Sequence, residues 1–344
     1  MKFKRIAIDT SKNVFALHGV DEAGNAVLRR ELRRGQVEGF FATAKAEEVV
    51  LEACGAAHHW GRRLSALGHT VKLVPPQYVK PFVKRGKSDR IDAEAISEAA
   101  ARPTMRFVPV KGAEEQAAAS VLKVRDLLVR QRTQTINALR GHAAEFGIVA
   151  AKGTGKLGDL AARIAACADV PAAAKEMLAL LGEEVGRFTA RIGEIDRKIE
   201  AMHRGSAMSR LLADIPGVGS IAALTATLTI DPKQFKSGRH LAAWIGLTPK
   251  EHSTGGKHRL GGISKQGNER MRQLLVLGAT AVLKAIRKPG HRWATAWLVN
   301  LTQRKPFRLA AVALANKMAR IIWAMMTTGE VYRQPAAQQS PVAA

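Results

Sequence analysis

The spacing of apolar positions divides the chain into a first part with the short period of strands and a longer part with the period of helices. Lys2 to Asp9 (KFKRIAID) and Asn13 to Val20 (NVFALHGV) read as strands, Asp21 to Asn25 (DEAGN) as a turn, and Ala26 to Leu32 as a third strand. Val37 to Ala46 has a helical pattern. Val49 to Ala53 (VVLEA) is a short buried strand, Ala57 to Leu67 a helix stopped by Gly68, and Val71 to Val74 a strand closed by Pro75 and Pro76. Three antiparallel strands followed by alternating helix and strand predict an α/β domain, a mixed sheet with helices on its faces, ending near Pro109.

From Ala113 to about Phe146 the composition turns to Ala, Leu, Gln and Arg, as in one long helix. Val185, Phe188, Ile192, Ile195, Ile199 and Met202 follow at intervals of 3, 4, 3, 4 and 3, the stripe of a coiled coil. Between them Gly153 to Gly158 (GTGKLG) matches a dinucleotide fingerprint, but no strand precedes it, so it reads as a flexible linker. The middle third is either a helical hairpin or dimerisation arm, or a helical layer packed on the rest of the chain. Residues 1–110, 111–204 and 205–332 are then three domains, and the Pro-, Ala- and Gln-rich stretch 333–344 is a disordered tail.

Charge adds a partner to this outline. The 344 residues carry 54 Lys and Arg against 29 Asp and Glu, a net charge of +25, which points to a polyanion and most simply to nucleic acid. No apolar run of about 18 residues and no signal peptide is evident, so no membrane partner is expected. Two cysteines, Cys54 and Cys167, are too few for a disulfide framework or a Cys-based zinc site, which fits a cytoplasmic, reduced setting.

Four stretches bear candidate chemistry. Asp89 and Asp92 stand three apart at the start of a predicted helix in VKRGKSDRIDAEA, so their carboxylates share a face. They are either metal ligands or an acidic first turn favoured by the helix dipole, with Ser88 or Asp89 as N-cap. Asp9 ends the first strand and Glu52 the fourth; if those strands are neighbours, both acids meet at one sheet edge, as phosphoryl transfer with divalent metal requires. Ile215-Pro216-Gly217-Val218-Gly219 lies between two apolar helices and is either a helix-hairpin-helix turn, with Gly217 and Gly219 offering N–H groups to a phosphate, or a packing corner.

Leu241 to Arg272 combines five glycines between Gly255 and Gly267 with Lys250, Lys257, Arg259, Lys265, Arg270 and Arg272, a composition suited to close approach along a phosphodiester chain. From Arg270 to Gly329 there is no Asp or Glu, and the cations there form a basic helical face. Its apolar residues, among them Leu274, Leu275, Leu277, Val282, Trp293, Trp297, Ile321 and Trp323, are expected in the core.

Taken together, IAIDTSKNVF, VVLEACGAAHHW and KSDRIDAEAI resemble the Asp-Glu-Asp-Asp transposases of the insertion sequence 110 family. IPGVGSIAA and WIGLTPKEHSTGGKHRLGGISKQGN are similar to the C-terminal transposase domain of that family, with wording like its 1111 subgroup. The resemblance runs from roughly Lys4 to Gly329. It implies a RuvC-like N-terminal domain of RNase H fold, a helical coiled-coil middle, and a mainly α C-terminal domain containing the helix-hairpin-helix-like segment.

The resemblance also implies that Asp9, Glu52, Asp89 and Asp92 bind Mg2+ (or Mn2+), and that a serine in the Ser-Thr-Gly stretch is the nucleophile. Some family members carry serine immediately before the Gly, where this chain has Thr254. Ser253 is the preferred choice because a primary hydroxyl is less hindered, with Thr254 as rival; either hydroxyl also suits a turn cap before Gly255 and Gly256. The further implications are donor and target DNA as substrates, a structured guide RNA (bridge RNA or seekRNA), a dimer or tetramer with a site shared between protomers, and action at the nucleoid of a bacterial cytoplasm. A water-using RuvC-like endonuclease and a non-catalytic nucleic-acid-binding protein, whose acids only satisfy nearby Lys and Arg, are the competing readings.

Overall fold

A computed structural model describes residues 2–334 apart from 85, 87 and 289, so most of the tail expected at 333–344 lies outside the described residues. The chain forms two compact units, Met1–Ala117 and Ala118–Ala344. The first is built on a five-stranded sheet in the order β3-β2-β1-β4-β5, with β1 Lys2–Thr10, β2 Val14–Val20, β3 Ala26–Arg33, β4 Lys45–Glu52 and β5 Thr70–Val74. β1, β2 and β3 run antiparallel, and β4 and β5 extend the sheet parallel to β1.

Strand alternation decides what each face carries. Ile6, Ile8, Val49 and Leu51 point into one core with Phe15, Phe41, Trp60 and Leu64, under α1 (Val37–Thr43) and α2 (Ala57–Ala66). Ala7, Val50 and Val74 point the other way, against Ala95, Ile96 and Ala99 of α4 (Asp89–Ala100), which follows the short α3 (Pro76–Val79). Alanines on both sides of that contact let α4 lie close to the sheet.

One boundary departs from the sequence reading. The helix expected over Val37 to Ala46 stops at Thr43, and β4 starts at Lys45 rather than Val49. The polar KAEE segment has helical propensity, but it pairs in register with Lys2 to Arg5, and ion pairs of Glu47 with Lys4 and of Glu48 with Arg5 (3.2 Å) cross the two strands. Tertiary pairing overrides a weak local preference here.

The second unit is helical, with one hairpin. α5 (Ala113–Ala144) begins in the first unit; α6 (Leu157–Ala166) and α7 (Ala172–Gly205) pack with it through Leu139, Leu160, Ile164 and Leu178. The GTGKLG stretch, expected to be only a linker, turns at Gly153 (φ 116°) and then opens α6, because Leu160 and Ile164 have a core to enter. On α7 the expected stripe is buried at Val185, Ile192 and Ile199. Arg125 of α5 and Asp196 of α7 form a paired ion bridge, with Nε–Oδ1 at 2.5 Å and Nη2–Oδ2 at 3.3 Å.

Helices α8 (Ala207–Ala213), α9 (Ser220–Thr229), α10 (Gly238–Trp244), α11 (Glu269–Ala285), α12 (Ala296–Arg304) and α13 (Phe307–Thr328) share one large core. Leu275, Val282 and Trp323 enter it as expected. Leu277 (68% exposed) and Trp297 (39% exposed) do not, since α11 and α12 bury only one face each. Helix α13 is long and apolar enough to cross a bilayer by length and composition. Its Ala310, Leu314, Ala315, Met318, Ala319 and Ile322 are instead buried in the core of the unit.

Candidate active site

The register of the sheet brings two acids together. Ile8 pairs with Leu51, so Asp9 and Glu52, one residue further on, end adjacent parallel strands. Alternation puts Asp9 on the side of Ala7 and Glu52 on the side of Val50, the face that α4 covers. Helix α4 begins with Ser88 as N-cap, its side chain accepting from the Ile91 N–H at 3.4 Å, so Asp89 and Asp92 fall in the first turn on that same side. Carboxylate oxygens of Asp9, Asp89 and Asp92 lie within 4.8 Å of one another.

The electrostatics of this group are unbalanced. Burial, and then the charges of Asp89, Asp92 and Glu52, push the Asp9 carboxyl up to about 6. Burial and the charge of Asp92 raise that of Glu52 as well. Nearby cations are committed elsewhere: Lys84 pairs with Glu94, and Arg90 with Glu31 at 2.8 Å. Arg85 and Lys87, also in the motif, lie outside the described residues. Among the described residues none of the four acids forms an ion pair. Asp9, Asp89 and Asp92, clustered and without a cation among the described residues, are a donor set that fits a hard divalent ion, whereas Glu52 is not part of that 4.8 Å group.

The candidate hydroxyls belong to the second unit, on a hairpin of β6 (Pro249–Glu251) and β7 (Leu260–Ile263). The arm is fixed at its base and open at its tip. At the base, a Cβ on Gly267 would lie 1.7 Å from the Trp244 carbonyl oxygen, and one on Gly246 would lie 2.5 Å from the Gln266 amide nitrogen. Arg272, expected to face phosphate, is instead buried and donates from Nη1 to the carbonyls of Ile245 (2.7 Å) and Gln266 (2.8 Å). Buried carbonyls need donors, and a guanidinium can serve two at once.

At the tip, Ser253 and Thr254 are exposed, and Thr254 pairs through its backbone with Lys257 across Gly255 (φ 55°) and Gly256 (φ 77°). Ser253 Oγ accepts from the Arg259 N–H at 3.2 Å. Lys250, Lys257, Arg259 and Lys265 are exposed along the arm, whereas Arg270 is half-buried and pairs with Asp126 of α5 at 2.5 Å.

Gly217 and Gly219 form the corner between α8 and α9. A Cβ on Gly217 (φ 86°) would sit 2.7 Å from the carbonyl oxygen of Gly278 on α11, so this glycine has a packing reason of its own, while Gly219 is exposed. Of the histidines beside the motifs, His58 Nδ1 accepts from the Lys111 N–H at 3.2 Å and His59 stacks edge-on to Trp60, which places both in packing roles.

The sequence of the chain is similar to those of known proteins. A transposase family model of the IS110 DEDD type matches residues 6–147, and the model described as Transposase IS116/IS110/IS902 family matches residues 209–294. A putative transposase of Sinorhizobium fredii is 52% identical over 97% of this chain and 87% of its own length. A probable family 20 transposase of Pseudomonas aeruginosa is 46% identical over 97% of this chain and 99% of its own. The transposase for insertion sequence element IS1111A of Coxiella burnetii is 40% identical over 96% of this chain and 91% of its own. With an acid group formed inside the first matched region and a basic arm inside the second, this chain belongs to the IS110/IS116/IS902 family of insertion-sequence transposases, enzymes that recombine DNA.

Proposed function

We propose that the chain cuts and rejoins donor and target DNA by attack of Ser253 on a phosphodiester, directed by a structured guide RNA, with Asp9, Glu52, Asp89 and Asp92 as the metal-binding tetrad of a RuvC-like domain. The observation that carries this reading is the group of acids around Asp9, drawn together by register and left without a cation among the described residues. A bound Mg2+ or Mn2+ supplies neutralising charge at the phosphate and at the leaving oxygen.

The residues of the chain supply the rest. The Arg259 N–H orients Ser253 Oγ while leaving its proton free to depart. Oγ forms the new bond to phosphorus and gives up its proton to solvent or a neighbouring base. The bond from phosphorus to one bridging deoxyribose oxygen breaks, and that oxygen leaves as a hydroxyl after taking a proton. The phosphoserine ester keeps the phosphodiester energy, so attack by a hydroxyl on a second strand restores Ser253 and reseals DNA without ATP. The cations Lys250, Lys257, Arg259 and Lys265 hold the strand at the arm. We infer that the active form is a dimer or tetramer whose protomers share a composite site, with the helices of 111–204 contacting subunit and RNA.

Denaturing electrophoresis after incubation with guide RNA and donor DNA tests this. A covalent protein–DNA adduct is expected from the wild type and from Thr254→Ala, and none from Ser253→Ala. An adduct lost only in Thr254→Ala moves the nucleophile by one residue. Cleaved DNA with no adduct in the wild type supports the alternative, a RuvC-like nuclease using water, which the turn-capping bond at Ser253 also accommodates.

A further inference from the structure

On the second unit, α10, α12 and α13 line a groove of about 610 Å3, a volume that fits a nucleotide-sized ligand. Its polar wall is Ser237, the N-cap of α10, Arg239 within α10, and Asn316, Lys317 and Arg320 on α13; its aromatic residues are Trp297 of α12 and Trp323 of α13. Gly238 brings these walls together. A Cβ at that position would lie 2.9 Å from both the Cα and the carbonyl oxygen of Arg320, so α10 meets α13 backbone to backbone and sets Arg239 beside Arg320.

The groove has unbalanced charge and an exposed ring. Among the described residues no Asp or Glu lines it, and Arg239, Lys317 and Arg320 form no ion pair. Lys317 is half-buried with Nζ 4.0 Å from the centroid of the Trp297 ring, and burial together with the Arg320 charge lowers its affinity for a proton. Like charges held this close are relieved by an anion. Trp297 stays 39% exposed, while Trp60, Trp244, Trp293 and Trp323 pack against the cores. Phosphate-sized positive charge next to an exposed indole is the pairing that single strands use, cation to backbone and ring to base.

We propose that this groove binds one unpaired nucleotide of a polynucleotide, with the phosphate held by Arg239, Lys317 and Arg320 and the base against Trp297. The assignment rests on the action of the family on nucleic acid and is independent of which hydroxyl is the nucleophile. Both DNA and RNA strands present this chemistry.

The test uses the full chain with three labelled probes: a short oligothymidylate, an oligouridylate, and a DNA duplex of equal length. Trp297→Ala is expected to weaken single-strand binding by about tenfold and to leave duplex binding unchanged, with most of the loss recovered in Trp297→Phe. Arg320→Gln is expected to flatten the salt dependence of single-strand binding by about 0.7 in log–log slope. The probe that shows these losses names the source strand. An oligothymidylate carrying 5-iodouracil should crosslink at Trp297 under light. Equal losses for strand and duplex, unchanged affinities throughout, or crosslinks elsewhere and none at Trp297 would overturn the proposal. Adduct formation is a separate readout, so failure of the serine mechanism and failure of this groove are distinguishable.

Discussion

Asp9 concentrates the electrostatic cost of the acid group. Its carboxyl is shifted from 3.8 to about 6, so between those values the folded chain holds a proton that the unfolded chain has already lost. Stability therefore falls as pH rises through that window, and the penalty persists above it. For a half-exposed carboxylate, solvent screening leaves a cost of about 1 kcal/mol. Asp9→Asn is expected to raise the thermal midpoint of metal-free protein by roughly 1–2 °C at pH 8, and to have no effect near pH 3. Recombination by the same variant should be lost. A midpoint unchanged at pH 8 would mean that the carboxylates are already compensated. Mg2+ or Mn2+ should raise the wild-type midpoint more at pH 8 than at pH 5, because protons compete for Asp9. At this scale an apolar strand ending in an acid singles out Asp9 and Glu52 in the sequence as candidates, and a spacing of three singles out Asp89 and Asp92. The sequence misassigned Arg272, because a buried guanidinium serving two carbonyls and an exposed one facing phosphate look alike in a Gly- and Lys-rich stretch.

Among elements, glycines set how closely the helices approach. The corner between α8 and α9 meets α11 where Gly217 and Gly278 face each other, and a Cβ on Gly278 would lie 1.9 Å from the Gly217 carbonyl oxygen. Gly278→Ala must force the corner and α11 apart, at a cost of about 2–3 kcal/mol, seen as a lower urea midpoint with an unchanged slope. An unchanged midpoint would show that the corner yields freely. From the sequence Gly278 is an ordinary glycine inside a helix, because the pattern of α11 contains nothing about what crosses it. The same limit explains α6. Its helix follows a glycine-rich stretch that reads as a linker, and only the pocket between Leu139 and Leu178 gives Leu160 and Ile164 a place to be buried.

For the molecule as a whole, a net charge of +25 makes association with nucleic acid dominated by release of counterions. The logarithm of DNA affinity should fall steeply and linearly with the logarithm of salt concentration. Lys257→Ala and Arg259→Ala should each flatten that line by about 0.9 if each neutralises one phosphate of duplex DNA. Slopes unchanged in both variants would remove the arm from the DNA path. Arg270 should contribute less, since Asp126 already neutralises it.

The sequence by itself determined the sheet-then-helix order, the basic character of the chain, the four acids and the serine–threonine pair, because each of these lies in local pattern, composition or a contiguous motif. It also carried the family resemblance, which the similarity of whole chains bears out. Only the tertiary structure decided the pairing of β1 with β4 that puts Asp9 beside Glu52, the contact of α4 that adds Asp89 and Asp92, and the exposure of Trp297 over a groove shared by α10 and α13. The physical reason is the same in each case. Register, close approach and burial are properties of pairs of distant segments, and a pattern read along one segment contains only half of each pair.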